Sequence, residues 1–297
     1  MSMSALGDTV VVGAGAVGEM LSAMLARHGV PLERFDLASR PGVTVGDACA
    51  PDGALLAALD RAGTVVLALP EEPLQRALRR IASVLRPDAL VVETASVKEP
   101  LEAVLRDGMS TRETLGINPM FAPSVGARGQ SVAVVRHRPS AAGNTFLAMI
   151  EAEGARLAPL DAARHDRMAA VMQSLSHATI LAFASALQAS GESIELLLDL
   201  APPPFRVLAA LSARVVGQSR DTYWDIQSRN GNAALARTAL GDALRRIDAT
   251  VADGSRDGFA AVLDGIEQYQ GDAGERLRET CAALFATLAA PRSHATE

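Results

Sequence analysis

A glycine-rich turn near the start of the chain limits the fold more than any other feature. The chain reads VVVGAGAVG there, so Gly13, Gly15 and Gly18 directly follow a run of β-branched residues. In this spacing the first glycine permits a tight turn, the second lets the backbone approach a pyrophosphate, and the third allows close packing of helix on strand. The following helix begins near Ala16 and Val17, whose N–H groups would face the phosphates. The turn therefore predicts a βαβ unit that binds a dinucleotide.

The next segments indicate which dinucleotide binds. Asp36 ends the strand-like run LERFD, 18 residues beyond Gly18, close to the ~20 expected for the acid that binds an adenosine ribose. Its charge would repel a 2′-phosphate and so favours NAD over NADP, although Arg40 lies close enough to soften that preference. Leu69 and Pro70, in the stretch LALPEEP, follow another strand-like run. We expect this loop to close over the nicotinamide half, unless it is an ordinary βα turn.

The hydrophobic pattern divides the chain in two. Up to about residue 160, β-branched runs alternate with amphipathic helical stretches, which is typical of a parallel sheet, and runs at 114–117 and 131–135 extend it. After Asp161, a good N-cap residue, long apolar-periodic helices follow with almost no strand signal. We expect an α/β Rossmann domain over 1–160 and an all-α helical domain over 161–297. Long helices rich in Ala and Leu often pack on a second copy, so a homodimer is expected.

Composition excludes several classes of function. The net charge of −6 argues against a nucleic-acid binder, because phosphate contacts need clustered Lys and Arg. No apolar run approaches the ~20 residues of a membrane span, and the N-terminus lacks an export signal, so we expect a soluble, cytoplasmic protein. The two cysteines are far apart and outside any metal-ligand spacing, so no metal is expected. Small molecules are the expected partners.

Polar residues interrupt the apolar helices of the second half. In the helical stretch HDRMAAVMQSLSH, 3.6 residues per turn would bring Asp166, Gln173 and His177 within roughly 40° of one another. A single helical histidine can equally be a satisfied core residue. Arg206 and Arg214 stand among apolar neighbours, where an unpaired guanidinium would be costly, so we expect one of them to meet a carboxylate. That carboxylate could belong to the protein or to an anionic substrate.

Six motifs resemble the prephenate dehydrogenase family, in the same order and with similar spacing. They are VGAGAVG, ETASVKEP, GINPMFAP, RHDRMAAVMQSLSH, FRVLAALSAR and YWDIQSRN. The resemblance implies an N-terminal Rossmann domain, a helical dimerisation domain and an NAD(P)-dependent oxidative decarboxylase. Its substrate would be a cyclohexadienyl carboxylate, from which hydride leaves C4 for the nicotinamide while the ring carboxylate departs as CO2. Aromatisation drives this step, so the protein need only orient and polarise the substrate.

The resemblance also implies roles for individual residues. Ser96 matches the serine of the SVK motif that bonds the 4-substituent, His177 a histidine of the substrate pocket, and Arg214 the arginine for a substrate carboxylate. Arg206 is also in register, without an assigned role, and Gln173 is a further candidate for binding substrate.

Three further matches are expected to play supporting parts. His165 and Asp166 match a His-Asp pair at the start of a helix, which we interpret as supporting or structural. Lys98 matches a lysine near the site and is expected to be solvated.

One position departs from the family pattern. Asn118 stands where the family has a histidine that accepts the proton of the 4-hydroxyl group. An amide cannot be a general base, although its oxygen can accept a hydrogen bond, and positioned acid–base catalysis contributes ~10²- to 10⁴-fold. The substrate is therefore predicted to carry an amine at C4, as in 4-amino-4-deoxyprephenate, whose product is 4-aminophenylpyruvate. Two alternatives stay open: a prephenate or arogenate dehydrogenase with a relocated base, and a non-catalytic NAD(P)-binding regulatory protein.

The absence of particular residues excludes a neighbouring class. Dehydrogenases of the 3-hydroxyisobutyrate type use a catalytic lysine in their helical domain, and residues 161–297 contain no lysine. No segment is left over for a regulatory module, so feedback control by tyrosine within this chain is not expected.

Overall fold

The computed structural model describes residues 6–217 and 220–289, which form two compact units. The first unit comprises the chain up to Ala170 together with Trp224–Asn232. The second comprises Val171–Tyr223 and the chain from Ala233 onward. The predicted domain boundary between residues 160 and 161 lies at the start of a helix, whereas the compact units divide after Ala170.

The described part of the first unit contains an eight-stranded sheet in the order β3-β2-β1-β4-β5-β6-β7-β8. The strands are β1 (Thr9–Val12), β2 (Leu32–Asp36), β3 (Thr44–Val45), β4 (Thr64–Leu67), β5 (Leu90–Glu93), β6 (Glu113–Pro119), β7 (Ser131–Arg138) and β8 (Arg156–Leu160). Strands β1, β4 and β5 are buried along their whole length, as their unbroken apolar sequences require when both faces are covered.

One strand runs against the expected direction. The run at 131–135 does form a strand, but β7 lies antiparallel to β6, whereas all other neighbouring strands are parallel. Residues 120–130 join β6 to β7 without a crossover helix, and a parallel pair would need a longer crossover connection. The prediction of an all-parallel extension was therefore wrong at β7.

Helices cover both faces of the sheet. Those of the first unit are α1 (Ala16–Arg27), α2 (Gly53–Arg61), α3 (Glu71–Ile81), α4 (Glu99–Met109), α5 (Ala141–Ala152) and α6 (Ala162–Ala169), with a short 3₁₀ helix at Pro123–Val125. Val10 and Val12 of β1 pack in one core with α2, α3 and α4, and Val11 packs in the other with α1 and α5. Alternate residues of a strand face opposite sides, so one valine run serves both cores.

All regular secondary structure described in the second unit is helical, with turns between the helices. A π-helix (Ala170–Leu175) leads into α7 (Ser176–Ala189), α8 (Ile194–Leu200), α9 (Pro203–Val216), α10 (Arg220–Ser228, which ends in the first unit), α11 (Ala233–Ala252), α12 (Arg256–Gln270) and α13 (Ala273–Ala289). Helix α9 begins inside the proline run at 202–204, because proline fits the first turn of a helix. The predicted fold class, a Rossmann sheet domain followed by a helical half, is confirmed.

One helical stretch is unusually apolar. By length and composition, the helical stretch Ala162–Ala189 could cross a membrane. Within its most apolar segment of 18 residues, 11% is buried inside the chain. A single helix of this kind is weak support for a membrane span, since helices of soluble proteins also pass this test.

Candidate functional site

The glycine turn between β1 and α1 has the geometry that its sequence predicts. Gly13 has a φ of 100°, and a Cβ there would overlap the carbonyl oxygen of Ala68. A Cβ on Gly18 would overlap the carbonyl oxygen of Gly13. A Cβ on Gly15, in contrast, would meet no described atom within 4 Å. Positions 13 and 18 therefore need glycine for packing, whereas position 15 leaves open space where a ligand could approach.

The N-terminus of α1 fits a phosphate group. Gly15 is its N-cap residue, and no side chain in the described part of the chain caps it. The helix begins at Ala16 and Val17 directly after β1, so their N–H groups lie where a helix N-terminus attracts negative charge.

Asp36 joins the glycine turn to the next strand. Its Oδ2 accepts a hydrogen bond from the backbone N–H of Ala14 at 2.6 Å, and its Oδ1 accepts one from Ala38 at 2.9 Å. Partial burial opposes the charge of Asp36, but these N–H donors and then Arg40 outweigh it and lower its pKa. The ionised carboxylate keeps lone pairs for further donors, as ribose binding requires.

The loop after β4 lies against the glycine turn. The Leu69 side chain comes within 3.4 Å of the position that a Cβ on Gly13 would take. Pro70 is the N-cap residue of α3. Arg40 is exposed beyond β2 and forms a β-bridge with Val43. The predicted cofactor residues of the first unit thus follow the carboxyl ends of β1, β2 and β4, the edge at which open α/β sheets bind ligands.

Asn118 lies near the carboxyl end of β6 and is 4% exposed. Its Nδ2 is 3.1 Å from Nε2 of His165, and Nδ1 of His165 is 2.7 Å from Oδ1 of Asp166. The sequence indicated a supporting pair at 165 and 166 but not this contact, because Asn118 and His165 are 47 positions apart.

Asp166 also fixes the start of α4. Its Oδ1 accepts the N–H of Lys98 at 2.8 Å, and its Oδ2 accepts the N–H of Glu99 at 2.9 Å. Asn230 donates a hydrogen bond to the Asp166 carbonyl oxygen at 2.7 Å, which anchors the backbone of α6. The side chain of Asp166 therefore satisfies the first N–H groups of one helix and orients a histidine.

Ser96 lies in the loop that follows β5 and is partly exposed. Because β5 and β6 are parallel neighbours, with Glu93 beside Gly116, their carboxyl ends meet at one edge of the sheet. Ser96 and Asn118 thus occupy neighbouring strand ends, and no hydrogen bond joins them in the described structure.

The prediction that Lys98 is solvated was wrong. Its side chain is fully buried, and its Nζ lies 2.8 and 2.9 Å from the two carboxylate oxygens of Glu93 and 3.0 Å from the Ile117 carbonyl oxygen. Burial opposes the charge of Glu93, but Lys98 and then His137 outweigh it, so the pKa of Glu93 falls below its ordinary value. Lys98 therefore holds the residue before Asn118 rather than contacting solvent.

Glu71, the first residue of α3, is 6% exposed and was not predicted from the sequence as a site residue. Burial raises the pKa of its carboxyl group from 4.5 to about 7. Gln75 and Lys98 oppose this change, and the charges of Glu93 and Asp166 add to it. In the sequence, Glu71 could have been identified as a carboxylate that directly follows the proline of LALPEEP, at a strand end beside the predicted cofactor site.

His177 lies on α7 in the second unit and is partly buried. Its ring packs edge-to-face on Tyr223, with the ring centroids 4.7 Å apart. Its Nδ1 is buried and has no hydrogen-bond partner within the described chain. Burial and then the charge of Arg214 lower the pKa of His177, which favours the neutral ring. A neutral imidazole with an unpartnered nitrogen suits a ligand contact.

The predicted alignment of Asp166, Gln173 and His177 on one helix face rested on the wrong helical period. It assumed 3.6 residues per turn throughout, but Ala170–Leu175 forms a π-helix, in which hydrogen bonds span five residues. Gln173 lies within this π-helix and is partly exposed. Short π-helical turns are frequent at functional sites.

Neither of the two arginines of α9 pairs with a carboxylate in the part of the chain that the structure describes. Both are exposed in the chain. Arg206 donates hydrogen bonds to the carbonyl oxygens of Ala201 and Leu198, at 3.1 and 3.2 Å, and so closes the end of α8. Arg214 forms no ion pair within the described residues, and its charge acts on His177. Of the two, Arg214 has the guanidinium left for an anion.

Two family models match the chain. One is described as "Prephenate dehydrogenase, nucleotide-binding domain" and matches residues 33–137. The other is "Prephenate dehydrogenase, dimerization domain" and matches residues 161–265. The glycine turn lies before the first match and is thus an additional feature in favour of nucleotide binding.

Curated relatives agree with these matches. The chain is 38% identical over 291 residues to a 4-amino-4-deoxyprephenate dehydrogenase of Streptomyces pristinaespiralis, an alignment that covers 96% of this chain and 98% of the relative. It is 29% identical over 273 residues to a T-protein of Enterobacter agglomerans, covering 90% of this chain and 68% of the relative.

Solved structures show the same fold. A prephenate dehydrogenase from Aquifex aeolicus matches with a TM-score of 0.71 at 17% identity, covering 88% of this chain and 98% of that one.

The comparisons confirm the predictions of the family and of an NAD-dependent dehydrogenase. With two family models over more than half of its length and a relative 38% identical from end to end, this chain belongs to the prephenate dehydrogenase family.

Proposed function

We propose that the chain converts 4-amino-4-deoxyprephenate and NAD to 4-aminophenylpyruvate, CO2 and NADH. The observation that carries this proposal is the buried amide of Asn118 at the carboxyl end of β6, where the resemblance leads us to expect a histidine. The similarity to the Streptomyces pristinaespiralis 4-amino-4-deoxyprephenate dehydrogenase supports the same substrate.

The chemistry of an amine at C4 explains why an amide can suffice. When hydride leaves C4 with its two electrons, positive charge develops at that carbon. A neutral amine nitrogen shares its lone pair with C4 without first losing a proton, whereas a hydroxyl group benefits from a base. The electrons of the broken bond to the departing carboxylate then complete the aromatic ring. The Asn118 oxygen need only accept an N–H hydrogen bond and hold the substrate in position.

The first unit supplies groups that fit NAD, which accepts the hydride when bound. Gly15, Ala16 and Val17 offer open backbone N–H groups to the diphosphate, and Asp36 offers a carboxylate to the ribose hydroxyls. The lowered pKa of Asp36 keeps its negative charge, which opposes a 2′-phosphate.

Four further residues are proposed to contact the substrate. Ser96 would bond the 4-substituent, since it follows the strand beside that of Asn118. Arg214 would bind a substrate carboxylate, supported by a guanidinium that forms no ion pair among the described residues, and His177 would contribute its Nδ1, which lacks a partner there. Gln173 in the π-helix is the fourth candidate. Arg206 has weaker support, because its guanidinium already binds two carbonyl oxygens.

We further propose that the active form is a soluble, cytoplasmic homodimer whose partners are small molecules, without a nucleic-acid or membrane ligand. The match to a family dimerization domain and the exposed apolar residues of the helical unit support the dimer.

A second candidate is a prephenate or arogenate dehydrogenase, favoured by the histidine that lies against Asn118. His165 could serve there as a relocated base, reached through the amide. Purified protein with NAD and each of the three substrates, followed by NADH absorbance at 340 nm, separates these functions. Equal or better turnover of prephenate would contradict the proposal, and NAD binding without any turnover would indicate a non-catalytic protein.

The variant Asn118→His sharpens this test. We expect it to gain turnover of prephenate, up to the ~10²- to 10⁴-fold typical of a positioned base, and to lose turnover of the amino substrate. Asn118→Ala is the matched control, since it removes the amide without adding a base. It should lose amino-substrate turnover and gain no prephenate turnover. Unchanged selectivity in Asn118→His would show that this position does not set the substrate.

A further inference from the structure

A buried chain of hydrogen bonds ends on the Asn118 amide. Asp166, His165 and Asn118 are 1%, 1% and 4% exposed, so water does not compete for the bonds between them. Such chains are strong when every donor meets an acceptor.

The proton positions in this chain follow from Asp166. Backbone N–H groups of Lys98 and Glu99 donate to its Oδ1 and Oδ2, so both oxygens are placed as hydrogen-bond acceptors. Nδ1 of His165 must then carry the proton that bridges the 2.7 Å to Asp166. In a neutral imidazole the other nitrogen is an acceptor, so Nε2 takes a hydrogen bond from the amide of Asn118.

This arrangement decides which end of the amide is free. With Nδ2 turned towards His165, the amide presents Oδ1 on its other side, and none of the described residues donates to that oxygen. An oxygen accepts an N–H of the C4 amine and leaves the nitrogen lone pair available to C4. The reversed amide would instead donate an N–H to that lone pair and withdraw the electrons that hydride departure needs.

We infer that His165, held by Asp166, is a positioning residue that keeps the Asn118 oxygen towards the C4 amine. This inference rests on the proposed function, because it assigns the amide a contact with the amino substrate. Loss of His165 would let the amide rotate without removing it, so the catalytic rate should fall more than substrate binding.

A double-mutant cycle tests the inference with 4-amino-4-deoxyprephenate and NAD. We expect His165→Leu to lower kcat roughly 10- to 100-fold, the scale of a small misplacement, with little change in KM or in the Kd for NAD. His165→Gln should recover part of kcat, because its amide oxygen can accept from Nδ2. His28→Gln, at a partly exposed histidine paired with Glu153, is the control for removing a histidine.

The decisive comparison is made in the Asn118→Ala background. If His165 acts through the amide, His165→Leu should lower kcat no further there. Independent multiplication of the two losses would overturn the inference, as would equal losses in His165→Leu and His165→Gln accompanied by weaker NAD binding. If the unmodified protein prefers prephenate, the proposed function fails and the same cycle is run on prephenate. Coupling together with recovery of kcat by His165→Gln, whose amide cannot act as a base, would then retain the positioning role, and independence or no recovery would overturn it.

Discussion

At the scale of single residues, the partner of a buried carboxylate decides whether it is charged. Glu71 and Glu93 are both almost fully buried, yet their pKa values move in opposite directions. Glu93 has Lys98 within 2.9 Å and is charged, whereas Glu71 has a weak 3.4 Å hydrogen bond from Gln75 and carboxylates nearby. A buried carboxylate is tolerated as an ion where a cation or several N–H donors meet it directly.

The pKa of Glu71 predicts how stability depends on pH. Its value rises from 4.5 in the unfolded chain to about 7 in the folded protein. The folded state therefore holds this proton more tightly, and its contribution to stability is complete below pH 4.5 and lost as the pH rises through about 7. We expect Glu71→Gln to flatten the stability curve between these values and to stabilise the protein at pH 8 by on the order of 2 kcal/mol.

Urea unfolding at several pH values between 4.5 and 8 measures this effect. Glu72→Gln is the matched control, since Glu72 is exposed and its 3.4 Å pairing with Arg229 contributes little. A Glu71→Gln variant with the same pH dependence as the unmodified protein would show that Glu71 is ionised in the fold.

At the scale of elements, different glycines of the β1–α1 turn serve packing and ligand binding. Gly18 faces the backbone of Gly13, whereas Gly15, with φ near −74°, faces open space and has a conformation that alanine also adopts. An alanine substitution should therefore lower the stability of the fold at Gly18 and the affinity for NAD at Gly15.

We expect Gly18→Ala to lower the free energy of unfolding by about 1–3 kcal/mol, because the backbone must move to admit the methyl group. Gly15→Ala should leave that free energy within about 0.5 kcal/mol but weaken NAD binding about tenfold or more, because the methyl group occupies the approach of the diphosphate. Urea unfolding and calorimetric titration with NAD measure the two effects. Unchanged NAD affinity in Gly15→Ala would place the diphosphate elsewhere.

At the scale of the whole molecule, the helical unit leaves apolar side chains uncovered. Leu244, Ile247 and Val251 are 67%, 37% and 62% exposed and follow one another at helical spacing along α11. Such a stripe is typical of an interface between chains, and the family model that matches this half is a dimerization domain.

We expect a solution mass twice the 30.9 kDa of one chain, measured by light scattering after gel filtration. Leu244→Asp combined with Val251→Asp should shift the mass towards one chain, because burying two carboxylates in an apolar interface is costly. Leu56→Asp, at a position 40% exposed on α2, should leave the mass unchanged. A double variant that stays dimeric would exclude this stripe from the interface.

The sequence by itself determined the dinucleotide turn and the two-part architecture, because a glycine pattern and a change from strand to helix period are local features. The exchange at Asn118 was visible only through the resemblance of its motif to the family pattern. Tertiary structure alone decided the direction of β7, the burial of Lys98 and the raised pKa of Glu71. It also decided the contact of Asn118 with His165, 47 positions away. These features depend on which strand ends and helix starts meet in space, and local spacing does not record distances between segments far apart in the chain.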